Sequence, residues 1–152
     1  MNSIISNSEE ETLALGKKIA GYFEKGMVIV LTGDLGAGKT LFVSGMLDYF
    51  GKKEEVSSPT FTIVNEYDLD KGFKLFHFDV YRLESSDEFL AIGGDEFFEQ
   101  GVCLIEWGER IADVLPEDAC MIKIEKLEED MNKRKFSFST KGLRFDSMLN
   151  AL

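Results

Sequence analysis

A three-layer α/β fold on a mixed, mostly parallel sheet with antiparallel hairpin additions is predicted by three observations. Met27-Val28-Ile29-Val30-Leu31-Thr32 and Val102-Cys103-Leu104-Ile105 are short, unbroken apolar runs rich in β-branched residues, the pattern of strands covered on both faces. Stretches with helical spacing of apolar residues precede and follow the first of them. Two further strand-like runs, 61–67 and 73–80, flank Asp68-Leu69-Asp70-Lys71-Gly72 and read as an antiparallel hairpin.

The elements follow in order. Ser8-Glu9-Glu10-Glu11 is a capping box, and Leu15, Ile19, Tyr22 and Phe23 recur at helical spacing until Gly26, so a first helix is expected over residues 9–25. The buried strand 27–32 comes next, then a glycine-rich stretch, then a helix over 39–50 closed by Gly51. After the hairpin, a short helix over 86–92 ends on Gly93-Gly94 and a further helical turn is expected at 96–99. Beyond the strand 102–105, residues 120–127 and 135–140 read as a late pair of strands and 143–152 as a closing helix. No repeat, low-complexity tract or Pro/Gly/Ser-rich linker marks a boundary, so residues 1–152 are expected to form a single domain.

Composition narrows the function. The chain is 44% hydrophobic and 12% aromatic, enough for a full core, and carries 28 acidic against 17 basic residues, a net charge of −11. Residues 1–116 hold 21 acids and 10 bases, and 117–152 hold 7 of each, so no basic tail is hidden behind the average. An acidic surface of this kind argues against sequence-blind binding to DNA or RNA, where phosphate neutralisation supplies most of the affinity. No run approaches the ~20 apolar residues of a membrane span, and the start lacks the pattern of a signal peptide; a cytoplasmic protein is expected. Cys103 and Cys120 lie in apolar runs without metal-ligand spacing and read as reduced core residues.

The glycine-rich stretch carries the chemistry. Gly33-Asp34-Leu35-Gly36-Ala37-Gly38-Lys39-Thr40 matches G-x-x-x-x-G-K-[ST] in full and lies between a buried strand and a helix, which predicts a P-loop NTPase-like fold. Glycines at 33, 36 and 38 allow backbone conformations that a side chain forbids and bring N–H groups onto phosphate oxygens. The helix N-terminus adds partial positive charge. Lys39 supplies a point charge for the β- and γ-phosphates, and the Thr40 hydroxyl suits one place in the oxygen shell of Mg²⁺. A second carboxylate is needed at the end of a buried strand, and two candidates fit: Glu106, after 102–105, and Asp79, after Lys74-Leu75-Phe76-His77-Phe78.

Four motifs in order, the phosphate loop, Ser58-Pro59-Thr60-Phe61, His77-Phe78-Asp79-Val80-Tyr81-Arg82-Leu83 and Ile105-Glu106-Trp107, resemble those of the TsaE family. These are bacterial P-loop ATPases of the pathway that places threonylcarbamoyladenosine in tRNA. The resemblance runs from about Thr12 to Pro116. It implies that residues from Gly36 to Leu41 hold the phosphates of ATP or ADP and that Glu106 joins Thr40 on Mg²⁺. Thr12 would then lie near the nucleotide base, Ser58-Pro59-Thr60 would form a switch segment, and Asp79 would be the catalytic or water-positioning carboxylate. Arg134 falls near a position beside the nucleotide. The phosphate loop continues Thr40-Leu41 where many relatives carry a second threonine, which leaves the metal hydroxyl intact.

Other residues keep two readings. Pro59 makes 57–60 a defined loop with three hydroxyls, fit either to report on the γ-phosphate or to serve as a plain connection. His77, the sole histidine, lies by alternation on the face opposite Phe76 and Phe78 and reads as structural rather than catalytic. Tyr81-Arg82 suits phosphate or a partner, or an exposed ion pair between Arg82 and Glu84. Trp107 suits packing of the loop that places Glu106, or a partner anchor.

The resemblance implies an ATP-hydrolysing subunit acting with TsaB and TsaD proteins, touching tRNA only through that complex, with no role for DNA or membrane. Hydrolysis by the chain alone is expected to be slow, because Arg82 is the one arginine near a motif. A small-molecule kinase is the alternative enzyme, although four arginines in the whole chain leave little for a substrate-closing lid. A binding module ordered by nucleotide, with incidental hydrolysis, is the non-enzymatic alternative.

Overall fold

The structure is a computed structural model, and it describes residues 2–33, 38–52 and 64–152. Among these residues seven strands form one sheet: β1 (Asn2–Ser6), β2 (Val28–Gly33), β3 (Val64–Asp68), β4 (Lys74–Asp79), β5 (Gly101–Glu106), β6 (Cys120–Leu127) and β7 (Asp130–Ser139). Their order is β1-β7-β6-β2-β5-β4-β3. The centre, β6-β2-β5-β4, is parallel, whereas β3 and β7 run antiparallel to their neighbours and β1 pairs antiparallel with β7. The mixed sheet, parallel at its core with antiparallel hairpins at both sides, is the one expected.

Helices cover the sheet. On one face lie α1 (Glu9–Ala20), α2 (Lys39–Tyr49) and α4 (Asp146–Ala151), packed on Ile29, Leu31, Leu75, Leu104, Ile122 and Phe136. On the other lie α3 (Ser86–Ala91) and two 3-10 segments, Gly94–Glu99 and Gly108–Val114, packed on Val28, Val30, Phe76, Phe78 and Ile105. Every residue of β5 is buried, as its unbroken apolar run demands. Along β6 and β7, Lys123 and Ser139 are exposed on this second face, while Ile124 and Phe138 are buried on the first. Among the described residues no helix is long and apolar enough to cross a membrane. Cys103 and Cys120 are buried and unpaired, and burial pushes both thiols up to about 12, so neither is poised as a nucleophile.

Several boundaries differ from expectation. The helix expected over 9–25 ends at Ala20: Gly21 follows, and Tyr22 and Phe23 donate to Ile19 and Ala20, three residues back, so the last turn tightens. Its start is the expected one. Ser8 Oγ accepts from the Glu11 N–H at 3.1 Å, and the Glu11 carboxylate reaches back to the Asn7 N–H, one residue beyond the standard box. β7 begins at Asp130 rather than 135, because its charged first half is paired through the backbone, Arg134 opposite Lys126. The closing helix begins at Asp146 rather than 143, after a turn in which the Asp146 N–H bonds Leu143 O. The strand β1 and the 3-10 segment Gly108–Val114 have no counterpart in the sequence reading. The first three residues of the strand expected over 61–67 lie outside the described residues.

The close crossing of α1 and α2 bears on the site, since the two helices carry Thr12 and Lys39. A Cβ on Gly16 would lie 2.4 Å from Phe42 O, and one on Gly45 would lie 2.2 Å from Leu13 O. Backbone meets backbone on both sides, so a methyl group can enter only by forcing the helices apart. Gly45→Ala is expected to destabilise the fold, because overpacking of about 1–3 kcal/mol outweighs a helix-propensity gain of about 1 kcal/mol. Thermal denaturation should show a midpoint lowered by about 2–8 °C.

Candidate functional site

The carboxyl ends of the parallel strands carry the site, as in open α/β sheets generally. β2 ends on Gly33, whose φ is +127°, and a Cβ there would lie 2.0 Å from Ile124 O of the neighbouring strand β6. Only glycine lets the chain leave the sheet at this point. The chain returns at Gly38, φ +103°, which caps α2, so Lys39 and Thr40 are that helix's first residues. Asp34, Gly36 and Ala37, and likewise Ser58, Pro59 and Thr60, lie outside the described residues.

The two strand-end acids are direct neighbours. β4 and β5 are parallel and Asp79 stands opposite Glu106, while Leu31 of β2 stands on the other side of Glu106. The sequence reading placed either acid at the site, and the register brings both. With Lys39, Thr40, Leu41 and Gly38 they line one cleft of about 450 Å³. Thr12 and Glu9 enter it from α1, Trp107 from the residue after β5, and Asn132 and Arg134 from the start of β7.

Each side chain is held in a definite way. Thr12 is 2% exposed, and its Oγ1 lies 2.7 Å from Ser6 Oγ, which bonds Ser8 O at 2.9 Å. With the Ser6 hydrogen committed to Ser8 O, the Thr12 hydroxyl donates to Ser6 and keeps acceptor lone pairs in the cleft. β1 is what delivers Ser6, and it also sets Ser6 opposite Arg134 of β7. The Arg134 guanidinium bonds the carbonyls of Met131 and Lys133. Asp79 Oδ1 accepts the Tyr81 N–H at 3.0 Å, which fixes one oxygen of that carboxylate in the turn after β4.

Glu106 is 8% exposed and its Oε2 lies 2.6 Å from Nε2 of His77, itself 1% exposed. The sequence reads His77 as structural rather than catalytic, and the structure sets its ring against the Glu106 carboxylate. Alternation had given its face correctly; only the register between β4 and β5 gives its partner.

Lys39 is buried, with Nζ 4.4 Å from the centroid of the Trp107 ring. Trp107 has φ +64°, unusual for a residue with a side chain, and such strain clusters at functional sites. The tight turn continues through Gly108, where a Cβ would meet Val30 Cγ1 at 2.4 Å. Tyr81 packs against Trp107 with the rings tilted by 55° and their centroids 4.8 Å apart, and Arg110 lies over Tyr81 at 4.9 Å. Trp107 thus packs between Lys39 and Tyr81, and Tyr81 is half exposed at the rim of the cleft. Arg82 is exposed and makes no ion pair with Glu84 among the described residues; the Glu84 N–H bonds the Glu88 carboxylate instead.

Glu9 and Asn132 went unnoticed in the sequence. Glu9 carried a faint signal as an acid in a first helical turn; Asn132, at a hairpin end, carried none. Three carboxylates, Glu9, Asp79 and Glu106, and two cations, Lys39 and Arg134, line the cleft among the described residues. Two of those carboxylates end adjacent strands and share the cleft with Thr40, and carboxylate and hydroxyl oxygens are a fitting donor set for a hard divalent cation. No cluster of three or more His, Cys, Asp or Glu side chains suited to a metal occurs among the described residues. Mg²⁺ is commonly held by one or two protein carboxylates and completes its shell with phosphate and water.

A mixed sheet with a parallel centre, a glycine-bounded strand-to-helix connection, a lysine and a threonine opening the helix, and acids at the ends of adjacent strands define a P-loop protein of the α/β class. Residues 6–136 match the family model described as Threonylcarbamoyl adenosine biosynthesis protein TsaE. The protein of Bacillus subtilis named tRNA threonylcarbamoyladenosine biosynthesis protein TsaE is 42% identical over 144 residues, 94% of this chain and 88% of that one. Its namesake in Treponema pallidum is 43% identical over 126 residues, covering 82% and 92%. The crystal structure of Bacillus subtilis YdiB superposes with a TM-score of 0.76 at 34% identity, covering 99% of this chain and 92% of that one. The chain belongs to the TsaE family.

Proposed function

We propose that this chain, as one domain, binds ATP with Mg²⁺ and hydrolyses it slowly in support of threonylcarbamoyladenosine modification of tRNA. Its partners are TsaB and TsaD proteins in the cytoplasm, and it meets tRNA only through them. The pathway follows from the family and from the names of the relatives. The observation that carries hydrolysis is the gathering of Lys39, Thr40, Asp79 and Glu106 in one cleft at the ends of parallel strands.

In this reading Lys39 exchanges the Trp107 ring for phosphate oxygens, where its ammonium offsets charge on the β- and γ-groups. Thr40 and Glu106 would hold Mg²⁺, which when bound supplies further positive charge toward the same oxygens. Asp79, with one oxygen tied to the Tyr81 N–H, orients water at the other. Thr12 offers its acceptor to the base, and Arg134 and Asn132 close the hairpin side of the cleft. Turnover by the chain alone is slow, because Arg82 is not among the residues lining the cleft and the Arg134 guanidinium is engaged by hairpin carbonyls. Exposed Tyr81 and Arg82, beside the cleft, suit contact with a partner protein.

The test is tRNA modification over several turnovers in a mixture of TsaB, TsaD, the threonylcarbamoyl donor, ATP and tRNA, with this chain wild type, Lys39→Ala or omitted. Multiple turnovers with the wild type alone are expected. Equal modification in all three mixtures would overturn the proposal.

A further inference from the structure

We propose that His77 is a positioning residue, which fixes the Glu106 carboxylate in the orientation that receives Mg²⁺. This rests on Glu106 as the metal carboxylate, and it adds a residue not otherwise given a role in the site. His77 and Glu106 lie on one face of the sheet: in the β4–β5 register His77 stands opposite Leu104 and Asp79 opposite Glu106, so histidine and glutamate are diagonal neighbours. Their contact, Nε2 to Oε2 at 2.6 Å, is buried, with side-chain exposures of 2% and 10%.

The chemistry fixes the direction of the bond. An ionised carboxylate only accepts, so His77 Nε2 carries the hydrogen and donates. The other ring nitrogen, Nδ1, is buried and has no hydrogen-bond partner among the described residues. A histidine kept only to fill space would be replaceable by an apolar residue that leaves no buried polar nitrogen unpaired. Among the described residues the single hydrogen bond of the ring goes to Glu106. It occupies one lone pair of Oε2, removes rotational freedom at the end of the glutamate chain, and leaves Oε1 for the metal. A carboxylate at a strand end is otherwise free to swing among rotamers, and outer partners of metal ligands commonly hold tenfold to a hundredfold in metal affinity.

Two amides separated by one methylene test this. The Nδ2 of asparagine corresponds to His77 Nδ1 and falls short of Glu106, whereas the Nε2 of glutamine corresponds to the donating nitrogen. ADP binding is measured by calorimetry as MgCl₂ is raised, and again in EDTA, for the wild type, His77→Asn, His77→Gln and Glu106→Ala, with thermal midpoints alongside. His77→Asn is expected to raise the Mg²⁺ concentration that half-saturates the effect by about 10- to 100-fold, with the EDTA affinity unchanged, and His77→Gln should restore most of it. A Glu106→Ala shift with no His77→Asn shift overturns the positioning role alone. Equal shifts in His77→Asn and His77→Gln overturn it too, since loss of the ring rather than of the donor would then be responsible. No shift in Glu106→Ala overturns the assignment of Glu106 itself, on which the proposal stands.

Discussion

Lys39→Ala is expected to lower ATP hydrolysis by about 100- to 1000-fold, the usual consequence of removing one preorganised charge donor from a developing anion. The side chain is buried, so the effect is not screened as it would be on a surface. Its ammonium now rests over an aromatic ring 4.4 Å away, a contact of about 0.5–2 kcal/mol that a phosphate group is expected to outcompete. Single-turnover hydrolysis and ADP calorimetry on the same preparation check the result. Loss of rate together with loss of affinity marks a group that binds the phosphates in ground and transition states alike. Retention of both would remove Lys39 from the site.

Asp79→Asn should separate binding from chemistry. Asparagine keeps an oxygen to accept the Tyr81 N–H, so the turn after β4 survives. What it loses is the negative charge and the basicity of the second oxygen. Hydrolysis should fall by about 100- to 10,000-fold, the range for a positioned general base, while ADP affinity stays within a few-fold of wild type. In the tRNA-modification mixture the same variant should stall after the first turnover. Normal modification by a variant that binds but cannot hydrolyse would mean that nucleotide acts as a binding signal and hydrolysis is incidental.

The legible parts of the molecule were those written in side chains. β2 and β5 announce themselves because both faces are covered, and the phosphate-loop motif places Lys39 and Thr40 at a helix start without any knowledge of the sheet. Asp79 and Glu106 could be read as strand-end acids. That they are adjacent, and that His77 touches one of them, depends on the order of β2, β5 and β4, which backbone pairing decides. β1 escaped notice for the same reason: Asn2–Ser6 shows little apolar alternation, and its place follows from ladder bonds to β7. Asn132 reaches the cleft only because β6 lies beside β2 and carries its hairpin to the phosphate end. The reading of Ser58-Pro59-Thr60 as a switch segment rests on the sequence alone.

Trp107 is the one tryptophan in the chain, and a charged ammonium lies on its ring. The protein therefore carries a built-in optical probe at the point where phosphate would arrive. Withdrawal of Lys39 from the indole should change the intensity of emission excited at the red edge of absorption, where tyrosine is silent. Inorganic triphosphate, which has no base to absorb or quench, should produce that change in the wild type and leave Lys39→Ala unaltered. The occupancy of the loop can then be followed in the unlabelled protein in real time.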